Sequence, residues 1–360
     1  KEGVKLNKKI GLFLAAAALA MTICGCSGSA TSGKVASSAP DGRDYERIVV
    51  ISDLHYPTKT GTDDPELRQY KIDNKQKCLQ EINGWDDVDL VAFPGDMVAL
   101  TGTMDEMNTV KAFTDNLNKP KVFTAGNHEI FYRDVFTKKG DVISASESVK
   151  KQHLENYQKV FGPLHSTKEM MGYLLIFLST DDVTGNLPTE MSKDELEWFK
   201  KTLDANKKKP TIIFFHAPLT GTLIPYNDKV GSPRSFAQPS AKIDQILILN
   251  PQIKLWVSGH THTPPTQPTF DNDINYYHGK ILDVYNPTWD GKTIWTNSLY
   301  LYKDKIVIKT YDMDKHETLD NLTRTVQIEG KGKPGKTERQ GTQENKKRRA
   351  ANGHVFFVWK

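Results

Sequence analysis

Six short apolar runs, each stopped by turn-forming or polar residues, constrain this chain more than any other feature: "RIVVISDLH", "DLVAFPGD", "KVFTAGNHE", "YLLIFLST", "TIIFFHAP" and "IKLWVSGH". Apolar runs without polar alternation belong to strands covered on both faces. Between them lie segments with helical spacing and start signals. Ser192-Lys193-Asp194-Glu195 reads as a capping box ahead of Leu196, Trp198 and Phe199. Strands alternating with helices predict an α/β fold with helices on each side of the sheet. Further on, Lys292 to Asp312 alternates about a Lys303-Asp304 turn, which predicts an antiparallel hairpin. With 360 residues, 38% of them hydrophobic, the chain can bury the core of one large domain or two ordinary ones.

The residues that stop the runs are the chemically active ones. Asp53-Leu54-His55 closes the first run, Gly95-Asp96 the second, Gly126-Asn127-His128-Glu129 the third, His216 the fifth, and His260 and His262 the sixth. Five of the ten histidines in the chain sit at such ends. Ligands of open α/β sheets bind outside the carboxyl ends of the strands, so these residues are expected to converge on one crevice. His260 and His262, two apart on an extended chain, would point the same way. Two carboxylates, one amide oxygen and four imidazoles suit Mn, Fe, Zn or Co better than calcium, which prefers oxygen alone. Two such ions side by side repel, and a bridging carboxylate with a bridging hydroxide offsets that repulsion.

Asp-X-His, Gly-Asp, Gly-Asn-His-Glu, a distant His and Gly-His-X-His, in that order over roughly Arg47 to Asp312, resemble the calcineurin-like metallophosphoesterase superfamily. The resemblance implies one domain, about residues 46–315, of two packed mixed β-sheets flanked by helices, which the hairpin-rich C-terminal half also suggests. It implies two divalent transition-metal ions. Asp53, His55 and His262 would hold the first, Asn127, His216 and His260 the second, and Asp96 would bridge them. His128 would contact the phosphate and protonate the leaving oxygen, with Glu129 expected to orient it by hydrogen bonding. The implied activity is hydrolysis of a small phosphate mono- or diester by a metal-bridging hydroxide. The alternative is a silent binding or scaffold protein that keeps the fold. Degenerate relatives lose ligands, whereas all seven ligand positions are intact here.

Gly95-Asp96 is followed by Met97-Val98-Ala99-Leu100, without the arginine of the protein-phosphatase branch or the tyrosine ligand of the purple acid phosphatase branch. Substrate contacts are expected from the flanking loops, which hold Tyr56, Tyr132, Arg133, Tyr226, Arg234 and Tyr276. Asp271-Asn272-Asp273 lacks the further ligands of a calcium loop and reads as a turn.

The ends differ from the body. The first 25 residues carry a net +3 and the last 30 a net +7, so of the formal +4 the intervening residues are left with −6. An acidic body gives no reason to expect a nucleic-acid partner. Residues 1–25 read as a lipoprotein signal peptide, because Ile23-Cys24-Gly25-Cys26 resembles the lipobox of bacterial lipoproteins. A lipid on Cys26 and a flexible tether over 26–45 would hold the exported protein at the outer face of a bacterial cytoplasmic membrane. Only Cys78 would then remain as a free thiol, which excludes an internal disulfide. Residues 316–360 are expected to form a basic C-terminal extension, too polar from Gly330 to Gly353 to bury a core.

Overall fold

The computed structural model describes residues 41–59, 64–135 and 142–328. β1 (Tyr45–Val50) leads through α1 (Pro65–Asn83) to β2 (Leu90–Pro94), and α2 (Met104–Thr114) leads to β3 (Lys121–Thr124). These strands pair in parallel, Ile48 opposite Leu90 and Val91 opposite Lys121. A single-turn α3 (Asn127–Ile130) and α4 (Glu147–Phe161) follow, then β4 (Ser166–Met170), β5 (Tyr173–Phe177), α5 (Lys193–Ala205), β6 (Thr211–Phe214), α6 (Ser240–Ile248) and β7 (Ile253–Ser258). β8 (Tyr276–Tyr277) and β9 (Ile281–Tyr285) come next. The predicted hairpin is β10 (Trp295–Tyr302) and β11 (Lys305–Asp312), turning at Lys303-Asp304. β12 (Glu317–Thr318) and β13 (Arg324–Gln327) both pair with β11.

Two mixed sheets result. One runs β12-β11-β10-β1-β2-β3 with β13 also on β11, the other β4-β5-β6-β7-β9-β8. Alternate residues of each strand face opposite sides, and both sides are covered. Ile48 and Val50 meet Leu175, Phe177, Phe214, Leu255 and Val257 between the sheets. Val49 and Ile51 pack beneath Leu79, Ile82 and Val110 of α1 and α2. On the far face, Ile176, Ile213 and Trp256 meet Phe199 and Leu203 of α5 and Ile243 of α6. This layering is why the runs show no polar alternation, and each such large side chain contributes about 1.5–3 kcal/mol by its burial.

Local signals also set the helix starts. Asp64 caps α1 by accepting from the Leu67 N–H, with Pro65 in the first turn. Ser192 caps α5 by accepting from the Glu195 N–H at 3.1 Å. The other half of the predicted box does not form, because the buried Glu195 carboxylate accepts from the Ser179 N–H at 2.7 Å instead.

The expected domain limits need correction at both ends. The Arg43 guanidinium pairs with Asp89 at 2.8 Å, so the last residues of the expected tether are fixed to the body. Of the expected extension over 316–360, residues through Ile328 belong to the fold, since β12 and β13 extend the first sheet and Val326 and Ile328 pack on the inter-sheet core. Cys26, the signal peptide and the tail beyond Ile328 lie outside the described residues. Among the described residues no helix is long and apolar enough to cross a membrane.

Candidate metal centre

Each strand end that the sequence singles out delivers its side chain to one region between the tops of the two sheets. Delivery requires unusual backbone. Asp53, His55, Asp96, His260 and His262 all adopt left-handed φ between 42° and 63°, five of the eight non-glycine residues that do so among those described. This conformation is costly for residues with a Cβ and persists where the surroundings enforce it, commonly at functional sites. His260 and His262 are therefore not on an extended strand as the sequence suggests, and they diverge to different partners.

His262 Nε2 lies 3.1 Å from Asp53 Oδ1 and 3.2 Å from His55 Nε2. His260 Nδ1 lies 3.2 Å from His216 Nε2, which is itself 3.0 Å from Asn127 Oδ1. Asp96 stands between the two groups, with Oδ2 3.2 Å from His216 Nε2 and 3.9 Å from His55 Nε2. Asp53, His55, Asp96 and His262 converge closely enough to share one ion, and Asp96, His216 and His260 a second. Backbone carbonyls fix the rings. His55 Nδ1 reaches Val98 O at 3.2 Å, His216 Nδ1 reaches Pro94 O at 3.0 Å, and His260 Nε2 reaches Arg234 O at 2.8 Å. Each ring thus donates outward and turns its other nitrogen, as an acceptor, into the cluster.

That arrangement sets buried acceptors against buried acceptors, which is stable only with positive charge among them. Metal-free, a proton serves. Burial would lower His216, but the carboxylates of Asp96 and Asp53 overcome it and raise its pKa to about 9. Burial would raise Asp96, but the protonated imidazole of His216, 3.2 Å from its Oδ2, holds it well below the usual carboxylate range. The residues present fit two divalent cations with mixed nitrogen and oxygen donors.

Glu129 supports the site differently from expectation. It does not bond His128. Its carboxylate accepts four backbone N–H groups, from Gly126 and Asp96 on one oxygen and from Met97 and Val98 on the other, at 2.7–2.9 Å. It thereby ties the turn after β2 to the turn after β3, the two that carry Asp96 and Asn127. Burial and the Asp96 charge nevertheless push it up to about 7 against the pull of those amides. His128 is held instead by Leu100, whose carbonyl accepts from Nδ1 at 2.8 Å. Its Nε2 is 4.0 Å from Asp96 Oδ2.

The calcineurin-like phosphoesterase family model matches residues 46–264. This chain belongs to that family. Among solved structures, a dimetal phosphatase from Danio rerio superposes with a TM-score of 0.51 at 15% identity, covering 79% of this chain and 99% of that one. A purple acid phosphatase from yellow lupin (Lupinus luteus) seeds gives 0.53 at 13% identity, covering 79% of this chain and 54% of the lupin chain. At these identities the likeness shows the fold. No curated protein matches the sequence significantly.

Around the centre, the aromatic and arginine residues expected to touch substrate divide. Tyr56 is stacked on Phe113 with ring centroids 4.0 Å apart, and Tyr276 packs on the inter-sheet core. Arg133 bonds its own loop at Val135 O. Tyr226 supports the His260–His262 turn by donating to Thr261 O at 2.7 Å. Tyr132 stays at the centre, its Oη 3.3 Å from Asn127 Nδ2, and the Arg234 guanidinium lies over the neighbouring Phe131 ring. Asn272 caps a single 3₁₀ turn, Asp273–Asn275. Sequence reasoning missed Lys59. It follows Tyr56 in a flanking loop, where a lone lysine reads as a solvated charge, and only the fold sets its Nζ 2.9 Å from His128 Nε2.

Proposed function

We propose that this chain hydrolyses phosphate esters in a two-metal site. Asp53, His55 and His262 would hold one ion, Asn127, His216 and His260 the other, and Asp96 both. The observation that carries the reading is Asp96, one carboxylate common to both donor groups. Two divalent ions held there supply Lewis acidity towards the phosphoryl group and make water nucleophilic near neutral pH. The chain's own part is to bind and to move a proton. Leu100 holds Nδ1 of His128, so Nε2, which faces Lys59 Nζ at 2.9 Å, is the nitrogen that would take up a proton and pass it to the leaving oxygen. Burial lowers this imidazole to about 3, Asp96 opposing and the Lys59 charge adding to the fall. The negative charge of a bound ester favours its protonation, which ties proton delivery to substrate binding.

The same proposal covers placement. The motif ending at Cys26 supports an exported enzyme on a lipid anchor, acting on small phosphate esters outside the membrane. The test is to load metal-free protein with Mn, Fe, Zn or Co and assay it on p-nitrophenyl phosphate and bis(p-nitrophenyl) phosphate. Metal-dependent turnover of either ester supports the reading. Full loading with each ion and no turnover of either ester would leave a silent binding protein.

A further inference from the structure

The residues after Asp96 offer a phosphate no charge, for Met97 and Val98 are buried and apolar. A cation reaches the same place from another loop. Lys59 is exposed, yet its Nζ sits 2.9 Å from Nε2 of the buried His128. Because the Nδ1 proton of His128 goes to Leu100 O, Nε2 is the acceptor here and the lysine donates. An ammonium has three N–H groups, and this contact uses one.

The position of Lys59 is built into the fold. Its backbone N–H donates to Asp290 Oδ2 at 3.1 Å. The other oxygen of Asp290 takes the fully buried Lys75 ammonium at 2.8 Å. Lys75 also donates to the carbonyls of His55 at 3.1 Å and Pro57 at 2.9 Å. One buried ion pair therefore fixes the segment that carries both His55, a candidate ligand, and Lys59.

We propose that Lys59 is the residue that grips the substrate's phosphate beside His128, in place of an arginine on the Gly-Asp turn. The inference rests on the phosphoesterase reading and names its phosphate-binding side chain. A lysine is a point charge rather than a planar fork, so the site asks for charge more than for bidentate geometry. Arginine should then substitute largely, and a neutral side chain of similar length should not.

The test uses the full chain loaded with Mn, as wild type, Lys59→Gln and Lys59→Arg, with inorganic phosphate as the probe in calorimetry. Metal content should be equal in all three, since Lys59 is not a candidate ligand. Lys59→Gln should bind phosphate roughly 10- to 100-fold more weakly, the effect of losing one charge-assisted hydrogen bond, while Lys59→Arg stays within about 5-fold of wild type. kcat/KM for p-nitrophenyl phosphate should fall in parallel. Lysine-dependent phosphate binding without turnover in the wild type would keep this proposal and remove the enzymatic one. Equal phosphate affinity in wild type and Lys59→Gln, or no phosphate binding by wild type, would overturn it.

Discussion

Gly126 is the point at which the turns carrying Asp96 and Asn127 meet, and adding one methyl group there tests whether their spacing matters. A Cβ at Gly126 would lie 2.4 Å from Asp96 Oδ1 and 2.5 Å from Asp96 N. A comfortable non-bonded separation is about 3.5 Å, so the carboxylate must retreat by about 1 Å. The same Oδ1 accepts the His128 N–H at 2.8 Å, so the proton-handling residue shifts with it. Backbone strain plays no part, because Gly126 has φ −96°, which alanine tolerates. Overpacking of this kind costs about 1–3 kcal/mol. Gly162→Ala is the matched control. It has φ +103° and nothing within 4 Å of the added Cβ, so it costs a similar ~1–3 kcal/mol through strain alone and meets none of the donors. Urea unfolding of the metal-free proteins should show comparable losses for the two variants. Metal titration should show Gly126→Ala binding at least about 10-fold more weakly, and Gly162→Ala binding as wild type does. Equal metal affinity in wild type and Gly126→Ala would refute the claim that Asp96 must sit where it does.

Three further outcomes are expected. His128→Ala, with its metals retained, should lose about 10²- to 10⁴-fold in kcat/KM towards an alkyl phosphate ester and much less towards a nitrophenyl ester, whose leaving group needs no proton; equal losses would remove the general-acid role. In the metal-free protein His128 is neutral and buried, its pKa lowered from 6.5 to about 3. Its contribution is therefore whole above pH 6.5 and lost as pH falls, so wild type should lose on the order of 2–3 kcal/mol more than His128→Gln between pH 7 and 4.5 in urea unfolding, and parallel curves would contradict this. Cys26→Ala should leave the membrane fraction or accumulate as precursor, and unchanged fractionation with unchanged processing would rule out the anchor.

Much of this was legible because it depends on short-range pattern. Ile48 to Ile51 and Leu174 to Phe177 are apolar at every position because each run is covered on both faces, and the strand ends then locate Asp53, Asp96, Asn127, His216 and His260 without further information. Other features depend on which distant segments meet. Glu129 looks local to His128, yet its carboxylate is claimed by four amides, three of them from a turn more than thirty residues earlier. Glu195 likewise leaves its own helix start for Ser179. Lys59 gains its place through Asp290 and Lys75, three residues that no sequence spacing connects. From sequence, β13 reads as part of a basic tail because the composition beyond Gly330 colours the whole terminus, whereas in the fold Val326 packs on an apolar sheet face.

The central claim is that one carboxylate serves two ions, and metal stoichiometry tests it most directly. Metal-free wild type and Asp96→Ala are titrated with Mn, and bound ion per chain is measured after removal of excess, alongside unfolding curves that establish both proteins as folded. Asp96→Ala takes away the negative charge shared by both donor groups, leaving two cations to repel at close range. The account predicts close to two ions per chain in wild type and loss of both in the folded variant. Two tightly bound ions in folded Asp96→Ala, or a wild type that holds none, would contradict it.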